Sequence, residues 1–175
     1  MDLRAVNRPA LPLPDRATLA ELPGGAEGTR RTLERMRELV LAARIDPVIF
    51  NLSRQIVAAV PGKGYVAEAT AIQNWVRRNI RYVRDVHGVE TLTPPTWLLG
   101  LGQGDCDDQS MLVSALLESI GHPTQFVAVG HDPQEFSHVF VETFVNGRWH
   151  AVETTEPWRF GETRNLPPYR MEVPV

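Results

Sequence analysis

The sequence predicts an α+β domain: N-terminal helices, then a further helix packed on an antiparallel sheet. Three observations carry this. Residues 29–80 hold three stretches with apolar residues at three- and four-residue steps. Residues 125–154 hold strand-like runs around Asn146-Gly147, a strong hairpin signal. Of 175 residues, 43% are hydrophobic and 22% charged, which allows a sizeable core and argues against wholesale disorder.

Residues 1–28 carry Pro9, Pro12, Pro14, Pro23, Gly24, Gly25 and Gly28 without a sustained period, and read as an extended arm. From 29 to 44, Leu33, Met36, Val40 and Ala43 form the stripe of an amphipathic helix with a basic opposite face. Asp46-Pro47 reads as an N-cap followed by proline at the first helical position. The helix it opens carries Val48, Ile49, Leu52, Ile56 and Val60, and stops before Pro61-Gly62. A third helix is predicted over 66–80, with Ala69, Ile72, Val76 and Ile80 buried. Residues 85–104, with Pro94, Pro95, Gly100, Gly102 and Gly104, read as one long shaped loop. A helix over 105–120 follows, closed by Gly121, His122 and Pro123. Strands are predicted at 125–129, 138–145 and 149–154.

Eighteen basic against 21 acidic side chains leave a net charge of -3. That balance removes the electrostatic case for nucleic acid or an anionic membrane as partner. No apolar run approaches the roughly 18 residues of a membrane span. The first nine residues lack the apolar stretch of a secretory signal, so a cytoplasmic or virion-associated location is expected. A single cysteine, Cys106, excludes an intrachain disulfide and argues against structural zinc.

Cys106 sits in Gly104-Asp105-Cys106-Asp107-Asp108, where a helix N-terminus favours a thiolate and offers N–H groups to an oxyanion. A lone cysteine is equally a small buried hydrophobe, so a base within reach is needed. His87, His122 and His131 fall in loops or turns with ordinary structural explanations. His138 and His150 fall on strands, and hairpin register separates them. A two-residue turn at Asn146-Gly147 sets Val145 opposite Arg148, so Phe140 lies opposite Glu153 and His138 opposite Thr155. His138 and Glu153 then share a face as diagonal neighbours roughly 7–8 Å apart. His150, opposite Thr143, points the other way. Taken singly, His138 also reads as a half-buried strand histidine and Glu153 as a solvent-facing carboxylate. Together with Cys106 they form a Cys–His–carboxylate set.

Gly-Asp-Cys-Asp-Asp at 104–108, Ser137-His138-Val139-Phe140-Val141-Glu142 and Gly147-Arg148-Trp149-His150-Ala151-Val152-Glu153-Thr154 follow one another in order. With Asn74-Trp75-Val76-Arg77-Arg78-Asn79-Ile80-Arg81-Tyr82 upstream, they resemble the transglutaminase-like superfamily, relatives of the papain-type cysteine proteases. The resemblance covers about 65–160. It implies Cys106 as nucleophile, His138 as general base and acid, and Glu153 as third member, where the family usually has aspartate. Asp105, Asp107 and Asp108 oppose a thiolate by their charge, although Asp105 equally reads as an N-cap. No ligand spacing accompanies these acids, so no metal site is expected.

Gln103 is a candidate oxyanion donor, or simply a loop-capping glutamine. Trp97 is a candidate for the substrate cleft, or a residue packing its loop on the core. The chain divides into an arm (1–28), a helical extension (29–62), a transglutaminase-like core (63–160) and a tail (161–175). The expected activity is acyl transfer on a peptide or protein substrate, hydrolysis before transamidation, with no cofactor. Two competing readings stand beside it. In one, a peptide-binding module captures without cleaving. In the other, a non-catalytic, tail-associated phage virion protein keeps the fold and docks its neighbours through residues 1–28 and the tail.

Overall fold

The computed structural model describes residues 6–10, 23–58, 60–62, 64–85 and 91–175. Helix α1 (Gly25–Ala43) starts four residues before the predicted Thr29 and buries the predicted stripe of Leu33, Met36, Val40 and Ala43. Helix α2 (Pro47–Val57) begins where Asp46 accepts the Val48 N–H at 2.7 Å, ahead of which proline needs no partner. Helix α3 (Tyr65–Asn79) buries Ala69, Ala71, Ile72, Gln73, Trp75 and Val76.

The segment expected to be one long loop differs. Past β1 (Arg81–Tyr82), it folds into helix α4 (Pro95–Leu101) and strand β2 (Gln103–Gly104), with residues 86–90, including His87, outside the described ones. Pro95 sits at the first helical position and Gly102 ends the helix at φ 71°, so residues that read as breakers serve as start and stop. Strands β1 and β2 pair in parallel.

Helix α5 (Cys106–Glu118) is the hub: every residue from Asp107 to Leu117 is buried, and α1, α2, α3 and α4 all pack on it. It lies against an antiparallel sheet of order β5-β4-β3-β6, made of β3 (Thr124–Gly130), β4 (His138–Val145), β5 (Arg148–Val152) and β6 (Tyr169–Pro174). Phe126, Ala128, Val139, Val141, Val152, Met171 and Val173 join the main helical core. Val127, Val129, Phe140 and Ala151 form a smaller cluster with Leu166 packed against it. The hairpin has the predicted register: Val145 pairs with Arg148, Thr143 with His150 and Val141 with Val152.

Described residues of both the expected arm and the expected tail take part in this fold. Within the expected arm, residues 1–5 and 11–22 lie outside the described ones, yet Val6 is buried and its carbonyl accepts the Trp75 indole N–H at 2.8 Å. Within the expected tail, β6 forms the edge strand beside β3, and its Pro174 carbonyl accepts Arg37 Nε at 3.0 Å. Among the described residues, no helix is long and apolar enough to cross a membrane.

Candidate active site

Asp105 caps α5 by accepting the Asp107 and Asp108 N–H groups at 3.0 and 3.2 Å. Cys106 therefore occupies the first position of the helix, half-buried. Its thiol donates to Asp107 Oδ1 at 3.6 Å, and the backbone N–H of Val139 also reaches the sulfur. Burial pushes this thiol far above its ordinary range. Asp107 and Asp105 push the same way, and the Val139 N–H offsets only part of the rise. Desolvation and two carboxylates thus work against the thiolate that the helix N-terminus favours.

His138 opens β4, directly before the Val139 that touches Cys106. Its Nε2 lies 2.7 Å from Glu153 Oε2, one residue beyond the end of β5. The His138 side chain is 22% exposed and that of Glu153 only 1%, so a wet imidazole is held by a dry carboxylate. The other Glu153 oxygen accepts from Thr155 N at 2.6 Å, Thr155 Oγ1 at 2.8 Å and Glu156 N at 3.2 Å. Burial alone would raise the Glu153 carboxyl. The His138 hydrogen bond and charge and the Thr155 donors outweigh it, holding the group below its ordinary value. Gln73 anchors the Glu153 carbonyl at 2.7 Å, tying α3 to the same corner.

Gln103 is exposed on β2, and its Oε1 accepts Arg81 Nη2 at 2.6 Å. Trp97 is half-buried on α4. Of the other histidines, His122 pairs with Glu68 at 2.8 Å, and His150 stacks on Phe160 at the β5 edge. A groove of about 670 Å³ beside α3, lined by Val60, Tyr65, Thr70, Asn74 and Asn146 among others, includes none of Cys106, His138 and Glu153. No cluster among the described residues is arranged to hold a metal ion. Sequence reasoning missed the Val139 N–H on the sulfur and the local donors on Glu153. Only the latter left a signal, a threonine two residues after the acid.

The family model for the transglutaminase-like superfamily matches residues 51–154, more than half of the chain. The chain belongs to the transglutaminase-like superfamily. A candidate cysteine protease from Cytophaga hutchinsonii superposes with a TM-score of 0.52 at 14% identity, over 78% of this chain and 56% of its own. A candidate protease from Parabacteroides distasonis does so with a TM-score of 0.57 at 13% identity, over 83% of this chain and 32% of its own. At such identities the likeness is one of fold, and this chain spans only part of either protein's length. No curated protein matches the sequence.

Proposed function

We propose that the chain catalyses cysteine-dependent acyl transfer on peptide-like amides, with Cys106 as nucleophile, His138 as base and acid, and Glu153 orienting the imidazole. The 2.7 Å contact of His138 Nε2 with Glu153 Oε2 carries this reading. It leaves Nδ1 to handle the reacting proton, on a residue adjacent to the one whose N–H touches the sulfur. In acylation, Sγ bonds to the carbonyl carbon, the thiol proton passes to Nδ1, and the carbonyl electron pair moves onto oxygen. Collapse breaks the C–N bond, and the proton leaves with the amine. Water, deprotonated by the same nitrogen, then releases the acid and restores the thiol. An amine in its place gives transamidation. The two structural neighbours described as candidate proteases support hydrolysis as the main outcome.

Because burial and two carboxylates raise the thiol, in this reading proton transfer to His138 accompanies attack and no standing ion pair is required. Asp105 occupies the N–H groups of Asp107 and Asp108, which leaves the Cys106 N–H as the backbone donor to an oxyanion. Gln103 supplies the second donor. Arginine only donates, so the Gln103 carbonyl faces Arg81 and the amide NH₂ is the free end.

Turnover of a peptide amide that is lost in Cys106→Ala and His138→Ala, with the fold intact by circular dichroism, is the test. The raised thiol favours the second reading, a non-catalytic assembly protein such as a virion tail component. Full function in Cys106→Ala would select that reading.

A further inference from the structure

Two cations with no ion-pair partner among the described residues converge on the loop that presents Cys106. The Trp75 indole and the burial of Val6 hold residues 6–8 against α3. The Arg8 guanidinium then lies against Gly102 so closely that a Cβ built there would sit 1.5 Å from Arg8 Nη1. From β1, Arg81 reaches the next residue, Gln103, at 2.6 Å. Arg84, exposed, continues beyond β1. Among the described residues, none of these three arginines is ion-paired, although the chain as a whole carries a charge of -3. The acid beside them, Asp85, is engaged by the N–H and hydroxyl of Thr91. Like charges brought together on one loop repel, and an anion laid across them relieves the repulsion.

The backbone here is also open. The Arg81 and Val83 N–H groups bond to the carbonyls of Gly102 and Gly104, so the intervening Gln103 carbonyl points away from β1. Gln103 is exposed, so that side of β2 is available to an extended peptide, next to the two residues that Arg8 and Arg81 contact and three residues before Cys106. Asp105 and Asp107, the acids flanking Cys106, are only 8% and 7% exposed.

We propose that the substrate is an acidic peptide segment, its Asp or Glu side chains held by Arg8 and Arg81 beside Cys106. This deepens the acyl-transfer reading and rests on it.

Parallel alkylation of Cys106 with iodoacetate and iodoacetamide separates the two ideas, because the reagents share their chemistry and differ in charge. The iodoacetate-to-iodoacetamide rate ratio is expected to fall about threefold or more in Arg8→Glu and Arg81→Glu, and in high salt, while Arg81→Lys stays near the unaltered protein. Matched peptide amides with Glu or Gln flanking the cleaved bond are expected to differ about tenfold in turnover, a preference lost in the same variants. A ratio unmoved by both charge reversals, or equal turnover of the two peptides, overturns the inference. If no peptide is cleaved but the ratio moves, acyl transfer fails and the anion-attracting rim stands. If both peptides are cleaved alike and the ratio is fixed, the rim fails and acyl transfer stands.

Discussion

Asp108 Oδ1 accepts the backbone N–H of Thr93 at 2.7 Å and so ties the segment entering α4 to the third residue of the nucleophile helix. Burial pushes this carboxyl up to about 7, against the Thr93 donors and with help from Asp105 and Asp85. The folded chain therefore holds this proton more tightly than the unfolded one. The stability it contributes is complete below the ordinary carboxylate range and is lost as pH rises through about 7. Asp108→Asn keeps an acceptor for Thr93 and removes the charge. It is expected to flatten the decline between about pH 5 and 8 and to gain about 1–3 kcal/mol at the upper end. Urea midpoints of both proteins across that range check this.

Glu153 has the opposite sign. Its carboxyl is held below the ordinary value, so its stabilisation is present above the unfolded carboxylate value and fades as pH falls through the lowered one. Glu153→Gln must aim an NH₂ group at His138 or at the Thr155 donors. Expected results are a loss of about 2–3 kcal/mol at pH 7, a weaker acid-unfolding limb, and a fall in kcat/KM of about a hundredfold or more. Acid titration followed by circular dichroism and peptide-amide kinetics report the two effects separately.

How much of this was legible beforehand follows from where each signal lies. The His138–Glu153 alignment was readable because Asn146-Gly147 fixes an index sum, and both residues inherit their face from it. Helices α1, α2, α3 and α5 were readable because each repeats its apolar residues over several turns. Helix α4 was hidden, since two prolines and three glycines in a short stretch look like a loop until tertiary packing buries Leu98 and Leu99. Strand β6 offers only Met171 and Val173 facing inward, between prolines at 168 and 174. The upward push on the Cys106 thiol was out of reach, because it depends on how deeply the start of α5 is buried.

Alkylation of Cys106 by iodoacetamide should keep accelerating past about pH 9, with no plateau near the ordinary thiol value. Asp107→Asn removes one of the charges holding the proton on, and should raise the rate at pH 8 by about three- to tenfold. A plateau at or below about pH 8.5 in the unaltered protein would contradict the burial described for the sulfur.

Two glycines frame the site, and their replacement should differ in cost. A Cβ at Gly130 would meet the Glu135 carbonyl oxygen at 1.9 Å, backbone against backbone, in the turn leading to His138. One at Gly104 would meet Asp108 Oδ2 at 2.5 Å, Asp108 Cβ at 2.7 Å and Leu98 Cδ1 at 2.8 Å; the first and last can rotate aside, and the Cβ yields only if α5 shifts by a few tenths of an ångström. Gly130→Ala should cost about 3 kcal/mol or more, and Gly104→Ala about 1–3 kcal/mol. Thermal unfolding ranks them.

Strand β3 is buried along its whole length, with β4 on one side and β6 on the other. Its two partners arrive very differently: β4 follows within eight residues, whereas β6 comes 39 residues after β3 ends. Until Tyr169–Pro174 arrives, Phe126-Val127-Ala128-Val129 presents a row of unmet backbone groups flanked by apolar side chains. Such an edge recruits strands from other molecules. Loss of the last seven residues should therefore show first as self-association of otherwise folded chains, with insoluble protein accumulating in proportion to concentration.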